Sequence, residues 1–180
     1  MNKIIVLLCC IILCMNLGGC IKPMSRGERL TKELGSEHQI ADQMMEDIAT
    51  ALDNGDADAL KELFSASALE EATNIDQQIS ALLQFYQGKM KEFEGTLSSS
   101  TSTEYGEDIE KELTGKYKMI TDKATYEIAY QYSVIDKENP DKEGLISFEI
   151  VTEAEYRQQV DGNGYYKWQY ANNPGIYVHE

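Results

Sequence analysis

Cysteine is missing from all of residues 21–180; the four in the chain are Cys9, Cys10, Cys14 and Cys20. Beyond Cys20 there is no route to a disulfide, a thiolate zinc site or a thiol nucleophile, and stability must come from packing. Histidine is almost as scarce. His38 and His179 are the only two, in no motif, so a His base or His metal set would require the ends of the chain to meet. Positive charge is short as well: 16 Lys and Arg face 31 Asp and Glu, for a formal charge of −15. Such a surface is soluble and is repelled by nucleic-acid phosphates and anionic headgroups. The chain has no Gly-x-Ser-x-Gly elbow, Gly-rich phosphate loop, zinc spacing, basic aromatic patch or internal repeat. No cofactor, resident metal or nucleic-acid partner is expected, and no motif names a reaction.

What the chain does have begins at its start. Ile4 to Met15 is an unbroken apolar run, long enough for a signal h-region and short of the roughly 20 residues that span a bilayer. Leu17-Gly18-Gly19-Cys20 follows directly and resembles the lipobox of bacterial lipoproteins. The resemblance implies removal of residues 1–19 as a lipoprotein signal peptide and lipidation of Cys20 as the first mature residue. The expected home is therefore the extracytoplasmic face of the cell membrane, with the N-terminal lipid as the membrane contact. Two or more acyl chains hold stably at roughly 0.8 kcal/mol per buried methylene.

Residues 20–35 read as a lipidated tether, polar and broken by Pro23 and Gly27, with Lys22, Arg26, Arg29 and Lys32 outnumbering Glu28 and Glu33. As a flexible chain it reaches on the order of 20 Å. One domain, residues 36–180, should follow. Ser36-Glu37-His38-Gln39 matches a capping box, and Ile40, Met44, Ile48 and Leu52 then recur at spacing four until Asn54-Gly55 supplies a left-handed stop. Asp56 or Asp58 can cap a short second helix carrying Leu60, Leu63 and Phe64. A third, after Ser67-x-x-Glu70 or Asn74, presents Ile75, Ile79, Leu82, Leu83 and Tyr86.

After Gly88 the apolar period drops to two, which marks strands. Tyr126, Ile128, Tyr130, Tyr132 and Val134 share one face; Ile146-Phe148-Ile150 and Tyr166-Trp168-Tyr170 repeat the alternation, and Phe93 to Thr101 and Leu113 to Thr121 do so more weakly. Glu138 to Gly144 and Asp161-Gly162-Asn163-Gly164 read as hairpin connections. Helices first and strands second predict an α+β fold, with N-terminal helices packed on a curved antiparallel sheet.

This order, with Asn54-Gly55-Asp56 after the long helix and Leu63-Phe64-Ser65 closing the short one, resembles the nuclear transport factor 2-like, or cystatin-like, cone fold. Asp58 to Gly88, with Ala59-Leu60-Lys61-Glu62-Leu63-Phe64-Ser65 and Ile75-Asp76-Gln77-Gln78-Ile79, is also similar to a family of small bacterial lipoproteins of unknown function. The cone fold implies a pocket between the concave sheet face and the long helix. Its candidate lining here is Tyr130, Tyr132, Phe148 and Trp168, opposed by Met44, Ile48 and Tyr86. Ordinary core packing explains the same residues, each buried large side chain contributing about 1.5 to 3 kcal/mol. Several tyrosine hydroxyls on one face, each wanting a partner, are the hint of a wet cavity.

Asp53-Asn54-Gly55-Asp56-Ala57-Asp58 and Asp161-Gly162-Asn163-Gly164 invite calcium, but the EF-hand glutamate at position 12 is Phe64 in the first and Asn172 in the second. Helix capping and a tight turn account for them. The expected function is a membrane-anchored lipoprotein binding a small apolar ligand or a protein partner. Two alternatives remain: a pocket enzyme of isomerase or hydratase type, using a buried carboxylate and a tyrosine, and a dimerisation or scaffold module.

Overall fold

A computed structural model describes Ser25, Gly27 and residues 36–162, 165–171 and 173–179. The signal segment 1–19, Cys20, the remainder of 20–35 and the tip Asn163-Gly164 lie outside the described residues.

Among the described residues, four helices between Glu37 and Phe85 precede the strands. α1 spans Glu37–Asn54; the Ser36 hydroxyl accepts the Gln39 amide at 3.2 Å, as the capping pattern predicts. It buries Ile40, Ala41, Met44, Met45, Ile48, Ala49, Ala51 and Leu52 along one stripe and stops where Gly55 takes φ 64°, a left-handed conformation that costs glycine nothing. α2, Ala57–Leu63, is capped by Asp56 rather than Asp58. The expected third helix is two: α3, Ala66–Glu71, capped by Ser65, and α4, Ile75–Phe85, entered through a left-handed Asn74.

The strands are β1 (Met90–Glu104), β2 (Glu107–Thr121), β3 (Thr125–Asp136), β4 (Gly144–Thr152) and β5 (Gly175–His179). They form one sheet in sequence order. β1 to β4 are antiparallel neighbours, whereas β5 runs parallel to β4. The architecture is α+β as expected, but the sheet is mixed rather than antiparallel. A parallel neighbour needs a crossover, and here it is supplied by α5, Glu153–Gln159, and the segment after it. The aromatic repeat Tyr166-Trp168-Tyr170 belongs to that crossover and is not a strand. Its amides at Gln169 and Tyr170 donate to the Glu149 carboxylate instead of to a neighbouring strand.

The register separates two faces. Leu113, Tyr117 and Met119 of β2, the five alternating residues from Tyr126 to Val134, and Phe148 and Ile150 of β4 belong to one core with α1, α2 and α4. Glu94 and Thr96, Lys116 and Lys118, Glu127 and Ala129, and Glu149 occupy the outer face. α5 and the crossover cover its β4 and β5 side, leaving the β1 and β2 side open. β1 is the edge strand on the open side, and its Ser98 to Thr103 run is exposed throughout. No described helix is long and apolar enough to cross a membrane.

Candidate functional site

The helix-facing side of the sheet holds six of the seven residues proposed above as a pocket lining, packed as core. Tyr130, Tyr132, Phe148, Met44 and Ile48 are fully buried, and Tyr86 nearly so. The tyrosine hydroxyls find partners in the protein rather than around a wet cavity. Tyr130 donates to the Ala41 carbonyl at 2.7 Å, Tyr86 to Asp53 at 2.6 Å and Tyr117 to Asp42 at 2.8 Å, while the Tyr126 hydroxyl accepts the Gln87 amide at 2.8 Å. Burial drives the Tyr130 phenol far above its ordinary range, with Tyr117 and Asp42 adding to the rise. It is a fixed donor rather than an acid for proton transfer. Asp42, the carboxylate nearest this ring pair, is solvent-exposed on α1.

Trp168 is elsewhere. It lies on the outer face, beyond the reach of Tyr130 and Phe148, because the crossover is pinned there by Glu149. That carboxylate is wholly buried, accepts the Gln169 amide at 2.5 Å and the Tyr170 amide at 2.7 Å through Oε2, and approaches His179 Nε2 at 2.8 Å through Oε1. Two backbone donors on one oxygen are what a buried carboxylate needs to repay its lost hydration. Around this anchor the rings assemble: Tyr156 and Tyr166 stack at 4.9 Å, Tyr166 meets Trp168 edge-on at 4.7 Å, and Tyr166 reaches His179 at 6.5 Å. The Tyr166 phenol is pushed up to about 12, by burial first and then by Glu149.

Between this aromatic wall and the open half of the sheet runs a cleft of about 580 Å³. Its floor is built from outward side chains of three strands: Glu94 and Thr96 from β1, Lys116 and Lys118 from β2, and Glu127 from β3. Its wall is Tyr156, Tyr165, Tyr166 and Trp168. Lys118 bridges to Glu153 at 2.9 Å, which raises the ammonium and lowers the carboxyl. Burial raises the Glu127 carboxyl, and Lys118 pulls it partly back. Among the described residues no three His, Cys, Asp or Glu side chains converge as a metal set would require.

Of this cleft the sequence reading named only Trp168, and on the wrong side of the sheet. Two signals were available. Thr152-x-x-Glu155 has the same capping spacing that marks α1, and Thr152 does cap α5 by accepting the Glu155 amide at 3.2 Å. Lys116 and Lys118 alternate with Tyr117, so the outward side chains of β2 were legible as a charged row.

The profile of the family described as "Domain of unknown function (DUF5104)" matches residues 47–153, from the middle of α1 to the first residue of α5. The charged floor of the cleft falls inside the matched span and its aromatic wall beyond it. No curated protein matches the chain.

Proposed function

The chain belongs to the DUF5104 family, whose description carries no activity, and we propose that this member is a lipid-anchored, extracytoplasmic binding module that takes its ligand in the outer cleft. The domain is read as a nuclear transport factor 2-like, cystatin-like cone whose concave side has been given over to core. The observation that carries the binding reading is the contrast between the two faces. Tyr86, Tyr117, Tyr126 and Tyr130 are buried on the helix-facing side with their hydroxyls hydrogen-bonded, whereas the outer face keeps an open cleft with a Trp and three Tyr along one wall. Exposed aromatic surface beside convergent polar groups is the usual composition of a ligand site.

Anchoring rests on Leu17-Gly18-Gly19-Cys20 behind its apolar run. Within the domain, Glu37 at the start of α1 pairs with Lys111 of β2 at 3.5 Å, toward the β1–β2 turn. Gly27 is buried at the same end, where a Cβ would collide with the Val134 carbonyl.

Two measurements test the reading. Growth with a clickable fatty acid should label the protein, and Cys20→Ser should abolish the label and move the chain out of the membrane fraction. Native mass spectrometry of the lipoprotein purified from its host should show an added mass that Trp168→Ala removes. An unlabelled chain, or a membrane fraction indifferent to Cys20→Ser, would end the anchoring reading; a bare mass in both forms would end the binding one.

A further inference from the structure

We infer that the outer cleft binds a neutral, polyhydroxylated ligand, a saccharide stretch of an extended glycan; this rests on the reading of the cleft as the binding site. The floor carries two acids, Glu94 and Glu127, and two bases, Lys116 and Lys118, so it is locally balanced in a chain of net charge −15. An apolar ligand would strip water from four charged groups without returning a hydrogen bond, which is costly. An anion would meet both the acidic domain and the two floor carboxylates, and a cation the two lysines. Hydroxyl groups suit all four, because each donates to a carboxylate and accepts from an ammonium.

Geometry agrees with this chemistry. Glu94 sits opposite Lys118, and Lys118 opposite Glu127, so an acceptor, a donor and an acceptor follow one another across three strands. Strand spacing sets these rows about 4.8 Å apart, and neighbours on one strand face lie about 7 Å apart. The shorter interval is of the order of the separation of non-adjacent hydroxyls on one sugar ring, and the longer one reaches beyond a single ring. Thr96 adds a further hydroxyl opposite Lys116. The wall supplies what the floor lacks, flat π faces for the apolar C–H side of a pyranose. Tyr165 is 74% exposed, a large ring left in water at the rim with no packing reason to be there. The cleft is open to solvent, so part of a longer saccharide can lie in it.

Trp168 is the only tryptophan in the chain and lines the cleft, so its emission reports occupancy without a label. The mature lipoprotein in detergent is titrated with cellotetraose and with chitin tetrasaccharide. Saturable quenching or a blue shift is expected with at least one, little changed between about 0.05 and 0.5 M salt because the ligand is neutral. Lys116→Ala, at an exposed position, and Tyr156→Ala should each weaken it about tenfold. Emission indifferent to both sugars, with the host-purified protein carrying a peptide that Trp168→Ala releases, overturns the saccharide assignment and leaves the binding module standing. A response that disappears at high salt, or that Lys116→Ala and Tyr156→Ala both leave intact, also overturns it.

Discussion

Glu149 and His179 face each other across β4 and β5, with Oε1 and Nε2 2.8 Å apart and neither atom making a further hydrogen bond among the described residues. The other oxygen of Glu149 holds the crossover through two amides, so one buried carboxylate joins the central sheet, its last strand and the aromatic wall.

Glu149→Ala should therefore loosen the crossover as well as weaken the sheet. Removing the acceptor of two backbone amides and the partner of His179 is expected to cost about 3 kcal/mol. Denaturant unfolding measures the loss. Native Trp168 emission should shift to the red, since the amides that follow it, at Gln169 and Tyr170, lose the carboxylate that holds them on the sheet.

Gly115 lies directly against the Tyr130 ring on the helix-facing side. A Cβ at Gly115 would lie 2.5 Å from Tyr130 Cζ. Gly115→Ala should destabilise by about 1 to 3 kcal/mol, as overpacking does. In Tyr130→Leu, which removes the ring, the same change should cost clearly less, so the double-mutant cycle should be non-additive. Thermal melts of the four proteins decide it.

Asp53 ties the end of α1 to the start of β1. Its carboxylate accepts the Tyr86 hydroxyl at 2.6 Å and the Met90 amide at 3.1 and 3.2 Å. Asp53→Ala should cost about 2 kcal/mol, and Tyr86→Phe, which removes only the phenol donor, about 1 kcal/mol. Urea midpoints of the two variants should fall in that order.

The pH dependence of Glu127 follows from its burial beside Lys118, Glu153, Glu94 and Arg157. Its folded carboxyl binds a proton more tightly than the unfolded one, so this group favours folding most at low pH. That contribution fades as pH rises from about 4.5 through the folded value, and the ionised carboxylate then opposes folding. Glu127→Gln should accordingly raise the melting temperature near neutrality and leave it almost unchanged near pH 3.

Caps and periods were readable because they act over one or two turns of chain. Ser36, Asp56 and Asn54-Gly55 do what their local chemistry predicts, and the alternation from Tyr126 to Val134 puts five side chains on one buried face. The split of the expected third helix shows the limit of such reading: Ser65 and Ser67 both offer a hydroxyl at a helix start, and Ser65 is chosen where its amide donates to the Leu145 carbonyl, 80 positions along the chain.

By itself, then, the sequence determined the order of helices and strands, the thiol-free acidic character of the domain and the burial of its tyrosine strand. Tertiary structure decided which side of the sheet Trp168 occupies, that β5 runs parallel to β4, and that a cleft lies on the outer face. The reason is physical. An aromatic alternation fits a strand and a covering loop equally well, and it is Glu149, placed by pairing on β4 between β3 and β5, that captures the amides of Gln169 and Tyr170 and makes Tyr166 to Tyr170 a loop.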